Sequence, residues 1–208
     1  MNKSFDMFDE IWCINLNKSK DRWKLAVEEF EKLGIDDRVQ RFAAVEHKDG
    51  RIGLIKSFLH LFKYAKQKGL KNILIFEDDI KFLNNPSQTL EAVKSQLQSF
   101  DMLYLGANTH TKLQQYSENV YHLNNAFAAH AICYNESVYD EIIERFEKTN
   151  QILKQEDIND VFFCSLQNKY KCYLTYPLLA TQRPSFSNLD NRNVDYSFIE
   201  ERYKVNVK

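Results

Sequence analysis

The chain is predicted to be an α/β protein, with a mainly parallel sheet flanked by helices and a smaller antiparallel part in the C-terminal half. Two observations carry this expectation. Between residues 10 and 107, short apolar runs rich in β-formers alternate with amphipathic helical stretches, in the order β-α-β-α-β-α-β; such an order places crossover helices over both faces of a sheet. With only 5 Gly and 3 Pro in 208 residues, the chain lacks the turns of an all-β design and the composition of long linkers.

The elements follow in turn. E-I-W-C-I-N-L, residues 10–16, is a short apolar run that opens the sheet as a buried strand. In S-K-D-R-W-K-L-A-V-E-E-F-E-K-L-G, Ser19 is a candidate N-cap and Gly34 a stop, with Trp23, Leu25, Ala26, Phe30 and Leu33 near helical spacing. V-Q-R-F-A-A-V, residues 39–45, is a second strand, followed by the polar loop E-H-K-D-G. From Ile52 to Lys68 an amphipathic helix presents Ile55, Phe58, Leu59, Phe62 and Ala65 and stops at Gly69. Asn72–Phe76 is the third strand, and Asn85-Pro86 starts a helix running to about Ser99. D-M-L-Y-L-G-A, residues 101–107, is a fourth strand. Beyond it, 114–123 and 126–134 alternate as antiparallel strands joined near Asn124-Asn125, 137–148 and 158–167 read as helices, and 171–180 as an extended run.

Length suits one domain, 1–208. A formal net charge of −1 gives no reason to expect a nucleic-acid partner. The four cysteines show no C-x-x-C spacing and read as reduced, buried thiols rather than a disulfide framework or a zinc site. The first residues lack the apolar core of a signal peptide and no run approaches the length of a transmembrane segment. A cytoplasmic location is the expectation.

The unusual stretch is N-I-L-I-F-E-D-D-I-K-F, residues 72–82. Three carboxylates, Glu77, Asp78 and Asp79, end a buried strand, and grouping like charges costs Coulomb energy unless a cation offsets it. In parallel sheets, ligands bind at the carboxyl ends of strands, where this trio would sit. By strand alternation Glu77 and Asp79 would aim at one hard cation while Asp78 turns toward a sugar hydroxyl or a basic side chain. Oxygen-only ligation favours Mg²⁺ or Mn²⁺ over zinc. Capping of the next turn, or surface pairing with lysines such as Lys56 and Lys81, competes with this reading, and spacing alone also allows phosphatase or nuclease chemistry.

Seven segments taken together go further. I-N-L-N-K-S-K-D-R-W, R-F-A-A-V, G-L-I-K-S-F, I-L-I-F-E-D-D-I, D-M-L-Y-L-G, N-D-V-F-F and Y-P-L-L-A-T-Q-R-P-S-F-S-N-L occur in this order. In that order they resemble glycosyltransferase family 25, which includes lipooligosaccharide and collagen galactosyltransferases. The resemblance implies a single GT-A (Rossmann-like) domain that uses an E-D-D or D-x-D element to hold a divalent cation against the diphosphate of a UDP-sugar. It also implies an inverting transfer of a hexose, galactose or glucose, to a hydroxyl of a glycan or glycoprotein acceptor, as in lipopolysaccharide biosynthesis.

By the same resemblance Asp160, in N-D-V-F-F, is the catalytic base, with Glu156 and Asp157 as alternates and helix capping as the competing role. Asn15, Leu16 and Arg22 match the family's opening and would hold the nucleotide, Asp21 pairing with the arginine. Lys56 and Ser57 fall on the family's G-C-x-x-S-H segment, where a lysine could reach the sugar or phosphate. Glu77 and Asp78 would contact the donor, and Glu77 with Asp79 the metal. Gln182 matches a C-terminal glutamine and could contact metal or phosphate, and Arg183 could contact phosphate. The chain departs from the pattern at Leu54, at Phe58 in place of the usual His, and at Asn188 and Leu189. His60, about 200° round the helix from Phe58, does not substitute, and His130 reads as a core residue. Residues 1–110 would form the donor half and the rest the acceptor half. Two other readings stand beside this one: a metal-dependent phosphohydrolase, and a catalytically degenerate glycan-binding protein.

Overall fold

The structure, a computed structural model, describes residues 3–149, 158–187 and 192–207. After a single 3-10 turn, β1 (Glu10–Asn15), α1 (Lys20–Leu33), β2 (Val39–Ala43), α2 (Gly50–Lys68), β3 (Asn72–Glu77), β4 (Ile80–Phe82), α3 (Pro86–Gln96) and β5 (Met102–Tyr104) follow in the expected alternation. The local signals act as read: Gly34 and Gly69 close α1 and α2 with φ of 63° and 67°, conformations that cost a residue with a Cβ more than glycine. Asn85 caps α3 through its side chain with Pro86 in the first turn. Ser19 stands at the N-cap of α1 without a side-chain bond, whereas Asp49, not foreseen, caps α2 by accepting from Arg51 N at 3.0 Å.

The second half adds β6 (Asn108–Thr109), β7 (Gln114–Ser117), β8 (Val120–His122), β9 (Ala126–Phe127), β10 (Ala131–Asn135), α4 (Glu136–Lys148) and α5 (Asn159–Leu166). It ends with β11 (Cys172–Thr175), β12 (Ala180–Gln182), β13 (Ser185–Ser187), β14 (Arg192–Val194) and α6 (Ser197–Asn206). The main sheet has the order β2-β1-β3-β10-β5-β11-β8-β7. β2, β1, β3, β5 and β11 point one way, β10 and β8 oppose them, and β7 returns to the common direction.

One expected pairing is corrected here. Residues 114–123 form their own hairpin, β7 with β8, and 131–135 does not join it but enters the sheet centre between β3 and β5. The reason is burial: four of the five residues of β10, Ala131, Ile132, Cys133 and Tyr134, are buried, and a place in the middle of the sheet, with a packed layer on each face, covers them all. Of the run 171–180, only Cys172–Thr175 is a strand, β11, and β12 begins at its last residue, Ala180.

Strand alternation divides the core. Ile73, Ile75, Met102, Tyr104, Ile132 and Tyr134 face the layer of α2, α4, α5 and α6, while Leu74, Phe76, Leu103, Leu105, Ala131 and Cys133 face α1 and α3. Phe58 packs inside the first layer, its ring 5.4 Å from Phe163 and 6.1 Å from Phe62. Three cysteines are buried and Cys164 partly so, and all four are free. No helix of the described residues is long and apolar enough to cross a membrane.

At Gly106 the chain passes so close to β12 that a Cβ would lie 2.0 Å from Ala180 O and 2.5 Å from His130 Nε2. β12 is hung there by Leu179 N and Ala180 N, which donate to Leu105 O at 2.8 and 3.0 Å. Gly106→Ala is therefore expected to cost about 3 kcal/mol, the upper range for overpacking a filled core, measurable as a lowered urea midpoint at unchanged slope. An unaltered midpoint would show that β12 can move aside without cost.

Candidate functional site

β3 ends at Glu77, and the chain turns through Asp78 and Asp79 into β4. Alternation thus stops at Glu77, and the orientation of the two aspartates is set by their partners. The parallel neighbour β1 brings its last residue alongside: Asn15 Nδ2 donates to Asp78 Oδ2 at 2.6 Å and to Ser19 O at 3.1 Å, and its Oδ1 accepts from Arg41 Nε at 2.9 Å. Arg22, in the first turn of α1, donates through Nε to Asp78 Oδ1 at 2.8 Å and also through Nη2, which stands 3.2 Å from Asp79 Oδ2. Part of the trio's charge is thereby offset by the protein's own cation, and Asp78 lies against a basic side chain, Arg22.

β12 completes the group. It pairs antiparallel with β4, Gln182 opposite Ile80, so Gln182 Nε2 donates to Asp79 Oδ2 at 3.3 Å and Arg183 N to Asp79 O at 2.7 Å. The other oxygen, Asp79 Oδ1, is buried without a hydrogen-bond partner among the described residues, a costly state for a carboxylate. Burial first, then Asp79, Asp160 and Asp78, push the Glu77 carboxyl well above the usual carboxylate range, against Arg22. Asp79 is raised too, by burial and by Asp78, with Arg22 and the Gln182 bond opposing. For Arg22, burial disfavours the charge, but Asp79 and Asp78 outweigh it and hold the proton more tightly than usual.

A cleft of about 260 Å³ lies over these groups, lined among others by Leu16, Arg22, Glu77, Asp78, Asp79 and Gln182. A second cavity, about 310 Å³, shares Leu54, Glu77, Gln182 and Tyr196 with it and reaches Asp160. Asp160 sits in the first turn of α5 and accepts from Ala128 N at 3.1 Å, holding a non-glycine residue at φ 73°. Asn15, only 1% exposed, lies beneath the cleft and orients Asp78.

The structure does not bring Lys56 and Ser57 to the cleft. Lys56 is exposed on α2 and lines neither cavity, while Ser57 is fully buried, donating to Gly53 O at 2.8 Å and accepting from Val45 N at 2.9 Å. Position 57 faces inward, so its hydroxyl anchors the loop beside the cleft. Arg183 turns to α1, donating to Leu25 O at 2.9 Å and pairing with Glu29 at 3.1 Å. His130 is fully buried, as expected, and burial lowers its pKa to about 4. Since Phe58 lies in the core, its exchange for histidine changes packing and not the wall of either cavity. Glu156, Asp157, Asn188 and Leu189 lie outside the described residues.

Val45, His47 and Lys48 also line the first cleft, and Tyr196 lines both cavities; none was singled out from the sequence. The loop 44–49 follows a parallel strand and could have been flagged by the rule that ligands gather at strand carboxyl ends. Tyr196 carried no signal, because its position depends on how α6 returns to the sheet.

Known structures share this architecture. A glycosyltransferase involved in the glycosylation of the major capsid of PBCV-1 superposes with a TM-score of 0.56 at 7% identity, over 94% of this chain and 98% of that one. A197 from STIV superposes with a TM-score of 0.51 at 11% identity, over 90% and 93%. At these identities the likeness establishes the fold, the GT-A class of α/β sheet. No curated protein matches the sequence. The profile of glycosyltransferase family 25, described as LPS biosynthesis protein, matches residues 48–155, just over half of the chain; the match contains the acid trio but ends before Asp160 and Gln182. By that match, on a fold of the expected class, the chain belongs to glycosyltransferase family 25.

Proposed function

We propose that the protein transfers a hexose from a UDP-sugar to a hydroxyl of a glycan or protein acceptor, with inversion at the anomeric carbon and dependence on Mn²⁺ or Mg²⁺. The observation that carries the reading is the buried, unpartnered Asp79 Oδ1 beside Glu77 at the carboxyl end of β3. Both are oxygen donors, as a hard cation requires. Among the described residues no three His, Cys, Asp or Glu side chains form a ready-made cage. An ion of the Mg²⁺ type is characteristically held by one or two carboxylates together with phosphate oxygens and water. When bound, the ion would neutralise charge on the departing diphosphate.

The chain's own groups have separate tasks in this reading. Arg22 and Asn15 fix Asp78 and keep the turn rigid, and Arg22 presents a guanidinium to the phosphates. Gln182 holds Asp79 Oδ2, leaving Oδ1 for the cation. Asp160 takes the acceptor's proton as its hydroxyl attacks the anomeric carbon. Residues 1–110 supply most of the donor cleft, but Gln182 and Tyr196 reach into it from the second half.

Two measurements test this. Calorimetry should show UDP binding that strengthens with Mn²⁺, and an absence of binding in both conditions would refute the assignment. Turnover of generic phosphate esters without a nucleotide would instead favour a phosphohydrolase. Asp160→Asn keeps the acceptor bond to Ala128 N yet cannot accept the proton, so transfer should fall roughly a hundredfold or more while UDP affinity holds. Full transfer by this variant would reassign the base.

A further inference from the structure

We propose that the second cavity binds the acceptor's terminal sugar as a hexopyranose ring, and that Phe198 is the residue that recognises it. The inference rests on the transferase reading above and extends it to the acceptor. The cavity, about 310 Å³, joins the donor cleft at Glu77, Gln182 and Tyr196, and Asp160 stands on its wall. A ring seated there would place a hydroxyl between the base and the cleft that holds the sugar to be transferred.

Its chemistry is that of a carbohydrate site. Phe198 and Tyr196 are both half-buried, with ring centroids 6.2 Å apart at 43°, and they offer aromatic surface to the C–H face of a pyranose. Arg202 braces this wall, its guanidinium 5.2 Å from the Phe198 ring and its Nη1 donating to Asn108 Oδ1 at 3.0 Å. That bond orients the Asn108 side chain and leaves its amide N–H groups, which have no partner among the described residues, as donors on the cavity wall. An apolar wall with a few convergent polar groups is the usual build of a small-ligand site.

The test uses the intact protein with methyl β-galactoside and methyl β-glucoside at millimolar concentration, followed by saturation-transfer NMR in the presence of UDP and diamagnetic Mg²⁺. Wild-type protein is expected to bind at least one glycoside. Phe198→Ala should weaken that binding at least tenfold and Phe198→Trp should restore it, with melting temperature and UDP affinity reporting an intact fold. Lack of glycoside binding by the wild type, or equal binding by Phe198→Ala, would overturn the proposal. Lack of UDP binding would overturn the transferase reading instead, so the two failures are distinguishable.

Discussion

Asp79→Asn is expected to lower metal-dependent turnover of the nucleotide-sugar by roughly a thousandfold without lowering the melting temperature. The two halves of this expectation have one cause. Asp79 is buried among like charges, and its carboxyl is held above its ordinary pKa by burial and by Asp78, so its ionised form costs stability in the empty fold. The amide removes that cost and can still accept from Gln182 and Arg22. It also removes the anionic oxygen that, in the proposed function, holds the cation. Stability retained with activity lost is the signature of a residue kept for function. A parallel fall in both would make Asp79 a structural residue, and unchanged turnover would remove it from the site. Activity with Mn²⁺, activity with chelator and a thermal melt decide among these outcomes.

His130 governs a second, pH-dependent effect. Burial lowers its pKa to about 4 from an ordinary value of 6.5, while the contact with Ala180 O works in the opposite direction. The unfolded chain therefore binds a proton between those values that the folded chain does not. Stability from this site is complete above about pH 6.5 and declines as pH falls toward 4, by roughly 3 kcal/mol in all. Glu77 and Asp79 run the other way: their folded pKa values are raised, so their contribution is complete at low pH and lost as pH rises. Comparing wild type with His130→Gln cancels the carboxylates. Denaturation from pH 7 to pH 4 should show wild type losing about 3 kcal/mol relative to the variant, and parallel curves would mean that the imidazole gains a proton without cost.

The first half of the fold was readable because its signals are local. Gly34, Gly69 and Asn85-Pro86 punctuate helices through backbone preferences that act within a few residues, and the apolar runs of β1 and β3 require burial wherever they lie. β10 was misplaced because its apolar pattern states that both faces must be covered and says nothing about which neighbours cover them. The same limit explains Lys56 and Ser57. Their match to the family's segment located them on α2, but the face each presents follows from how α2 packs on the sheet, which buries Ser57 and leaves Lys56 in solvent.

The amino-acid sequence by itself determined the alternation of strands and helices, the family, and the concentration of carboxylate at the end of one buried strand. It did so because burial, capping and charge repulsion are written in neighbouring residues. Only the tertiary structure decided how that charge is met. Arg22 comes from 56 positions away to Asp78, Gln182 from 103 to Asp79, and Asp79 Oδ1 is left without a partner among the described residues. Such partners are fixed by strand order and by the close passage of β12 over Gly106, which depend on the packing of the whole core.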